Sequence, residues 1–229
     1  RYESTEQLTM EQMYSECLHH LYTIDRRRNP YSIAAVNTYL FLKEEEIKKL
    51  IAEAESYLED MMQRRDSCGG VVECVIKGLP AGVGEPVFDK LDAALGKAVM
   101  SIGAIKGIEF GDGFKVTELT GSTDNDGFKI ENDTIEKTSN HAGGILGGMS
   151  DGSQIVLRAA VKPTPSIARS QDTINKAGEN ISINIKGRHD PIIVPRAVVV
   201  VESMVAVTLV DMLFTNMTAR IDKIVDFYK

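Results

Sequence analysis

Three loops of this 229-residue chain carry groups suited to holding an anion or a flat ring. The run Gly143-Gly144-Ile145-Leu146-Gly147-Gly148-Met149-Ser150-Asp151-Gly152 pairs its glycines. That lets backbone N–H groups approach a planar or anionic ligand with no Cβ in the way, although such a run serves equally as a plain turn. Lys162-Pro163-Thr164-Pro165-Ser166 supplies a cation and two hydroxyls on a backbone stiffened by prolines. It suits a phosphate or a ring carbonyl, and equally the end of a strand. Arg188-His189-Asp190-Pro191 sets a bidentate anion donor, a titratable ring and a carboxylate side by side; an ion pair bracing the turn is the plainer reading. What raises the functional reading is the company, since each loop follows a strand.

Other arrangements fail their tests. Gly82-Val83-Gly84-Glu85-Pro86-Val87 begins like a dinucleotide fingerprint, but Val87 replaces the third glycine and a proline intervenes. A tight strand-to-helix loop is the simpler reading. No GK[ST] phosphate loop and no GxSxG elbow occurs. His19 and His20 are adjacent, so on a helix they point about 100° apart and do not share a metal. His141 reads as a loop residue. Cys17, Cys68 and Cys74 are odd in number and form no CxxC pair, which suggests reduced thiols rather than a disulfide framework or a zinc site.

The elements that must position these loops are legible in part. Residues 43–65 read as a helix, with Ile47, Leu50, Ile51, Ala54, Leu58, Met61 and Met62 on one face. Residues 71–76 read as a strand. Residues 87–100 read as a helix with Val87, Leu91, Ala94, Leu95, Ala98 and Val99 on its apolar side. Residues 105–110 and 114–119 read as strands joined by a Gly111-Asp112-Gly113 turn. Residues 121–140 read as a polar, mobile loop. Residues 154–161 and 181–185 read as strands. Residues 197–214 are mostly apolar but include Glu202 and Asp211, so a buried core helix fits better than a membrane span. Residues 1–42 stay unassigned beside a domain over 43–229. Strands joined by turns and flanked by a few long helices point to an α+β fold with antiparallel pairing.

Lys and Arg number 26 against 33 Asp and Glu, a net charge of −7, and hydrophobic residues make up 43%. Such a chain builds a core, and its field disfavours a nucleic-acid partner. The N-terminus has no apolar signal region, and its start on Arg1 rather than Met is expected of a fragment.

Taken together, six segments resemble the chorismate synthases: residues 69–74, 78–92, 101–114, 140–152, 162–167 and 188–191. The resemblance runs from about Ser67 to Phe214. It implies an α+β fold, a β-α-β sandwich with helices between antiparallel sheets, here incomplete, with apolar surface left exposed. It implies a cytoplasmic lyase of the shikimate pathway of aromatic amino acid biosynthesis. That lyase converts 5-enolpyruvylshikimate 3-phosphate to chorismate by 1,4-anti elimination. It also implies reduced FMN as cofactor, an NADP link to flavin reduction and assembly as a homotetramer, with no nucleic-acid or membrane partner.

By resemblance Gly103, Ala104, Gly147, Lys162, Pro163, Thr164, Pro165 and Ser166 border the flavin. Arg188 lies between flavin and substrate, and Asp190 assists proton movement. The family's Gly-Glu-Ser-His-Gly and Arg-Ser-Ser-Ala-Arg-Glu motifs are not in this sequence, and His19, His20, His141 and His189 do not replace their histidines by position. A non-catalytic flavin- or partner-binding relative and a generic phospho-ligand domain therefore stand beside the enzyme.

Overall fold

A computed structural model describes residues 44–131, 133–187 and 189–229. In chain order the elements are α1 (Glu44–Gln63), β1 (Gly70–Ile76), α2 (Leu91–Met100), β2 (Ile105–Phe110), α3 (Gly121–Asp124), β3 (Phe128–Glu131), β4 (Thr134–Lys137), β5 (Ile145–Leu146), β6 (Met149–Ser150), β7 (Ile155–Val161), β8 (Ser170–Ile174), β9 (Asn180–Asn184), α4 (Val194–Met217) and α5 (Ile221–Phe227). Short 3₁₀ helices cover Val87–Asp89 and Gly113–Glu118. The unassigned residues 1–42, with Cys17, His19 and His20, lie outside the described residues. The chain divides into two compact units, residues 1–67 with 165–191 and residues 68–164 with 192–229.

The larger unit is built on an antiparallel sheet of order β1-β7-β2, with Gly70 opposite Val161 and Ile76 opposite Ile155. Alternation sends Val72, Cys74 and Ile76 of β1, and Ile155, Leu157, Ala159 and Val161 of β7, into the core. Helices α2 and α4 pack against each other, α2 on β2 and α4 on β1. Each helix contributes a stripe at fourfold spacing, Leu91, Leu95 and Val99 from α2 and Val201, Val205 and Leu209 from α4. Burying one such Leu contributes on the order of 2 kcal/mol. Cys68 and Cys74 are buried, and burial, with Glu202 second, pushes the Cys74 thiol up to about 11. In the smaller unit, β8 and β9 form an antiparallel hairpin, and Arg169 donates to Asp66 at 2.7 Å.

Four expectations change. Residues 114–119 are not a returning strand but the 3₁₀ helix Gly113–Glu118. Gly111 and Gly113 both take positive φ, and the Glu109 carboxylate accepts the Phe114 N–H at 3.3 Å, so the chain coils back on itself. Residues 121–140 are not a loop but α3 followed by the β3–β4 hairpin. The helical part of 87–100 begins at Leu91, and Val87, at φ 60°, is exposed rather than on the apolar side. Helix α4 is longer than expected and buries one stripe only; Val199, Val207, Val210 and Phe214 on its outer side are exposed. Its length and composition would also suffice to cross a membrane. Apolar surface is thus left exposed along this side of α4.

Candidate functional site

At one end of the central sheet, α2 stops at Met100, and the Ser101 hydroxyl bonds back to the Ala98 carbonyl at 2.6 Å. The chain then turns through Ile102, Gly103 and Ala104 into β2. Ala104 holds φ at 71°, and its carbonyl accepts the Lys162 N–H at 2.9 Å. One backbone hydrogen bond therefore joins two candidate loops, 103–104 and 162–164. Gly69 closes against them from β1: a Cβ there would lie 2.4 Å from the Val161 carbonyl and 3.1 Å from Pro163. A Cβ on Gly103 would meet nothing within 4 Å, so the approach to this backbone is open. Lys162 is exposed and makes no ion pair among the described residues.

Gly147 stands elsewhere. It lies in the β5–β6 turn at φ 60°, with open space where a Cβ would be. The Leu91 N–H, at the start of α2, donates to the Gly148 carbonyl at 2.8 Å. Ser150, buried below the turn, donates to the Pro80 carbonyl at 2.6 Å and accepts the Val83 N–H at 2.9 Å. The Gly82-Val83-Gly84 loop is thus the floor of the turn. A Cβ on Gly84 would sit 2.3 Å from the Gly148 carbonyl, so Gly84 serves close packing, whereas Gly82 has open space around it and serves the turn through its φ of 92°. The structure brings Gly103, Ala104, Lys162, Pro163 and Thr164 together and puts Gly147 at the opposite end of α2, ten residues or about 15 Å away.

In the smaller unit, the Pro165 carbonyl accepts the Gln171 side-chain amide at 2.9 Å, and Ser166 is half-buried. Asp190 is half-buried, and Arg188 lies outside the described residues. The His189 Nε2 is buried and has no hydrogen-bond partner among the described residues. Leaving such a nitrogen unmatched costs about 1–3 kcal/mol, so it suits a ligand group.

A charged cluster that sequence reasoning missed braces the glycine-rich run. Lys137 Nζ lies 2.9 Å from Asp126 Oδ2 and 2.8 Å from Asp151 Oδ2, and all three side chains are at most 6% exposed. Asp126 also accepts the Ser139 hydroxyl at 2.6 Å and the N–H groups of His141 and Ala142 at 2.8 and 3.0 Å. Burial alone would raise the Asp126 carboxyl; the bonds from Ser139, Ala142, Lys137 and His141 outweigh it and hold the group well below its ordinary value. Asp151 is lowered in the same way, against burial, by Lys137 and Ser153. Burial opposes the Lys137 ammonium, and the two carboxylates raise it above its ordinary value.

Next to the cluster, His141 Nδ1 lies 2.7 Å from Asp112 Oδ2, and that bond raises the imidazole. His141 is therefore more than a loop residue: it ties the 111–113 turn to the glycine-rich run. A cavity of about 350 Å³ opens beside it, lined by residues 124–128, Ala142 and Leu146. The only sequence signal for the cluster was Asp151 inside the glycine run; Asp126 and Lys137 looked like loop charges.

Comparison with known proteins fits this arrangement into a wider group. The family model for chorismate synthase matches residues 8–214. The chain belongs to the chorismate synthase family. The match reaches back to residue 8, further than the motifs after Ser67 extend. A chorismate synthase of Agathobacter rectalis is 60% identical over 176 residues, which are 77% of this chain and 48% of that protein. One of Lachnoclostridium phytofermentans is 59% identical over 177 residues, again 77% and 48%. One of Methanococcus maripaludis is 50% identical over 165 residues, 72% and 44%. A crystal structure of chorismate synthase superposes with TM-score 0.60 at 29% identity, covering 74% of this chain and 44% of that one. The chain spans about half the length of the curated relatives it matches. The α+β fold with small antiparallel sheets is the fold of this family.

Proposed function

We propose that this chain performs the chorismate synthase reaction: a lyase of aromatic amino acid biosynthesis that removes phosphate and a ring hydrogen from 5-enolpyruvylshikimate 3-phosphate. The observation that carries the reading is the hydrogen bond from the Lys162 N–H to the Ala104 carbonyl, in a chain of this family. It sets the backbone of an exposed lysine beside an open stretch of backbone at Gly103, a donor set that fits an anionic, planar cofactor such as FMN. Lys162, Gly103, Ala104, Pro163 and Thr164 hold that cofactor. Pro165 and Ser166 continue its border by resemblance, as does Gly147, which lies about 15 Å off at the other end of α2. Reduced FMN, when bound, supplies the transient electron density that helps phosphate leave.

The protein's own part is electrostatic and positional. A dianionic leaving group requires fixed cations where its charge develops. Lys162 gives one, and Arg188 clamps substrate phosphate or carboxylate. Asp190 holds or moves the proton. The enzyme is cytoplasmic and a homotetramer, with flavin reduction linked to NADP.

The decisive assay is chorismate formation by this chain with anaerobically reduced FMN. Turnover is expected. Flavin binding without turnover gives instead the non-catalytic relative. The absence of both binding and turnover overturns the reading. Arg188→Ala is expected to weaken substrate and flavin binding together by about 2–4 kcal/mol, the loss of a charge-assisted contact. Asp190→Asn is expected to lower turnover more than binding.

A further inference from the structure

The β3–β4 hairpin is amphipathic, and its better side is uncovered. Phe128, Ile130 and Ile135 share one face, and the two isoleucines, directly opposite each other in register, are 79% and 77% exposed. The other face carries Lys129, Glu131 and Glu136; Lys129 pairs with Glu131 on its own strand and lies 3.9 Å from Glu136 across the ladder. A two-stranded hairpin alone is marginal in water. Among the described residues its sheet holds only two strands, which leaves the edge along β3 unpaired.

That edge is complementary to itself. The Thr138 N–H bonds the Gly127 carbonyl at 2.8 Å, which makes 127/138 a hydrogen-bonded pair. By alternation 129/136 and 131/134 are hydrogen-bonded pairs too. Ile130 then turns its own N–H and carbonyl outward, to the free edge. Two β3 edges meeting antiparallel about a two-fold axis at Ile130 would exchange both of those bonds. The same pairing sets Lys129 of each copy opposite Glu131 of the other. On the apolar face it lines up Ile135, Ile130, and then Ile130 and Ile135 of the second copy in one row.

Charges on an edge ordinarily repel a neighbouring chain. Here their signs are ordered so that a second copy of the same strand satisfies them. The β4 edge has no such property: a two-fold axis at Ile135 opposes Thr134 to Glu136, and one at Glu136 opposes Ile135 to Lys137.

We propose that the β3 edge is an isologous contact between two copies of this chain, forming a continuous four-stranded sheet. This deepens the assembly part of the function proposed above, by naming the surface, and is independent of its catalytic part.

The test is the mass of the full chain in solution, by sedimentation or light scattering. The wild-type chain self-associates. Lys129→Glu and Glu131→Lys each place two like-charge pairs across the axis and weaken association about tenfold. An equimolar mixture of the two variants recovers it, because every pair across the axis is then of opposite sign; that recovery is blind to any effect of either substitution on folding. Ile130→Lys also dissociates the pair. A single-chain mass for the wild type overturns both this contact and the proposed assembly. Association that both charge variants leave intact overturns this contact alone. A mixture that stays as weak as the separate variants overturns it too.

Discussion

Lys137 and Lys162 are both held at sheet ends of the larger unit, and they are used in opposite ways. Lys137 is buried and spends its charge on two aspartates at 2.8 and 2.9 Å. Lys162 is exposed, is placed by its own backbone N–H, and keeps its ammonium out of any ion pair among the described residues. The first arrangement is what a brace needs, since a buried charge must be matched on all sides. The second is what a binding group needs, since a charge already neutralised has little left for a ligand. The glycine-rich run depends on the first kind: it is anchored by the saturated cluster, with Gly143, Gly144 and Gly148 closely packed and Gly147 open.

The largest effect expected from breaking this contrast is at Lys137. Lys137→Met leaves two buried carboxylates facing each other and is expected to cost about 3–5 kcal/mol in urea unfolding. The cluster also gives an acid limb. Asp126 and Asp151 are below their ordinary 3.8 in the folded chain, so they bind fewer protons folded than unfolded. Their contribution is complete well above pH 3.8 and is lost as pH falls below it toward the depressed values. Lys137 is raised above 10.5, so its contribution holds below that pH and is lost as pH rises through the raised value. In the Met variant the two carboxyls lose their cation and their folded values move back up toward or past 3.8, so the acid loss should shrink, which a pH series of unfolding midpoints reads directly.

A smaller effect, and the reverse pattern, is expected at the other lysine. Lys162→Ala should leave folding stability within about 0.5 kcal/mol, as an exposed substitution does. Flavin affinity measured by fluorescence titration should fall by about 1.5–3 kcal/mol, the range for a hydrogen bond to a charged group. An equal loss of stability and affinity would erase the contrast between the two lysines.

The smallest effect is at Asp112. Its bond raises the imidazole of His141 above 6.5, so that contribution is complete below pH 6.5 and fades as pH rises through the raised value. Asp112→Asn should flatten the stability profile near neutral pH, with the His141 titration, followed by NMR, moving down.

The sequence was most readable where burial enforces a period. Strand β7 alternates Ile155, Leu157, Ala159 and Val161 into the core, and α2 follows its Leu91, Leu95 and Val99 stripe. It was least readable where pairing rather than burial makes the element. Strand β8, Ser-Gln-Asp-Thr-Ile, is almost wholly exposed and exists through its partner β9, so no apolar alternation marks it. The β3–β4 hairpin looked like a polar loop because its order comes from cross-strand pairs and from Asp126, contacts that no local window contains. The site divides likewise. The adjacency of Ala104 and Lys162 was expected only from the family resemblance and rests on the β2–β7 register, with Ile105 opposite Val161, whereas the separation of Gly147 from them depends on the length of α2.

Asp126 has one more consequence. It grips the backbone of His141 and Ala142 from fifteen and sixteen positions away, and the Thr138 to Gly127 bond shuts the gap just outside it. Everything between Phe128 and Lys137 therefore hangs from a locked neck. Natural variants could lengthen, shorten or re-charge that appendage while the glycine bend below it keeps its shape, which lets the means of assembly drift independently of the chemistry it serves.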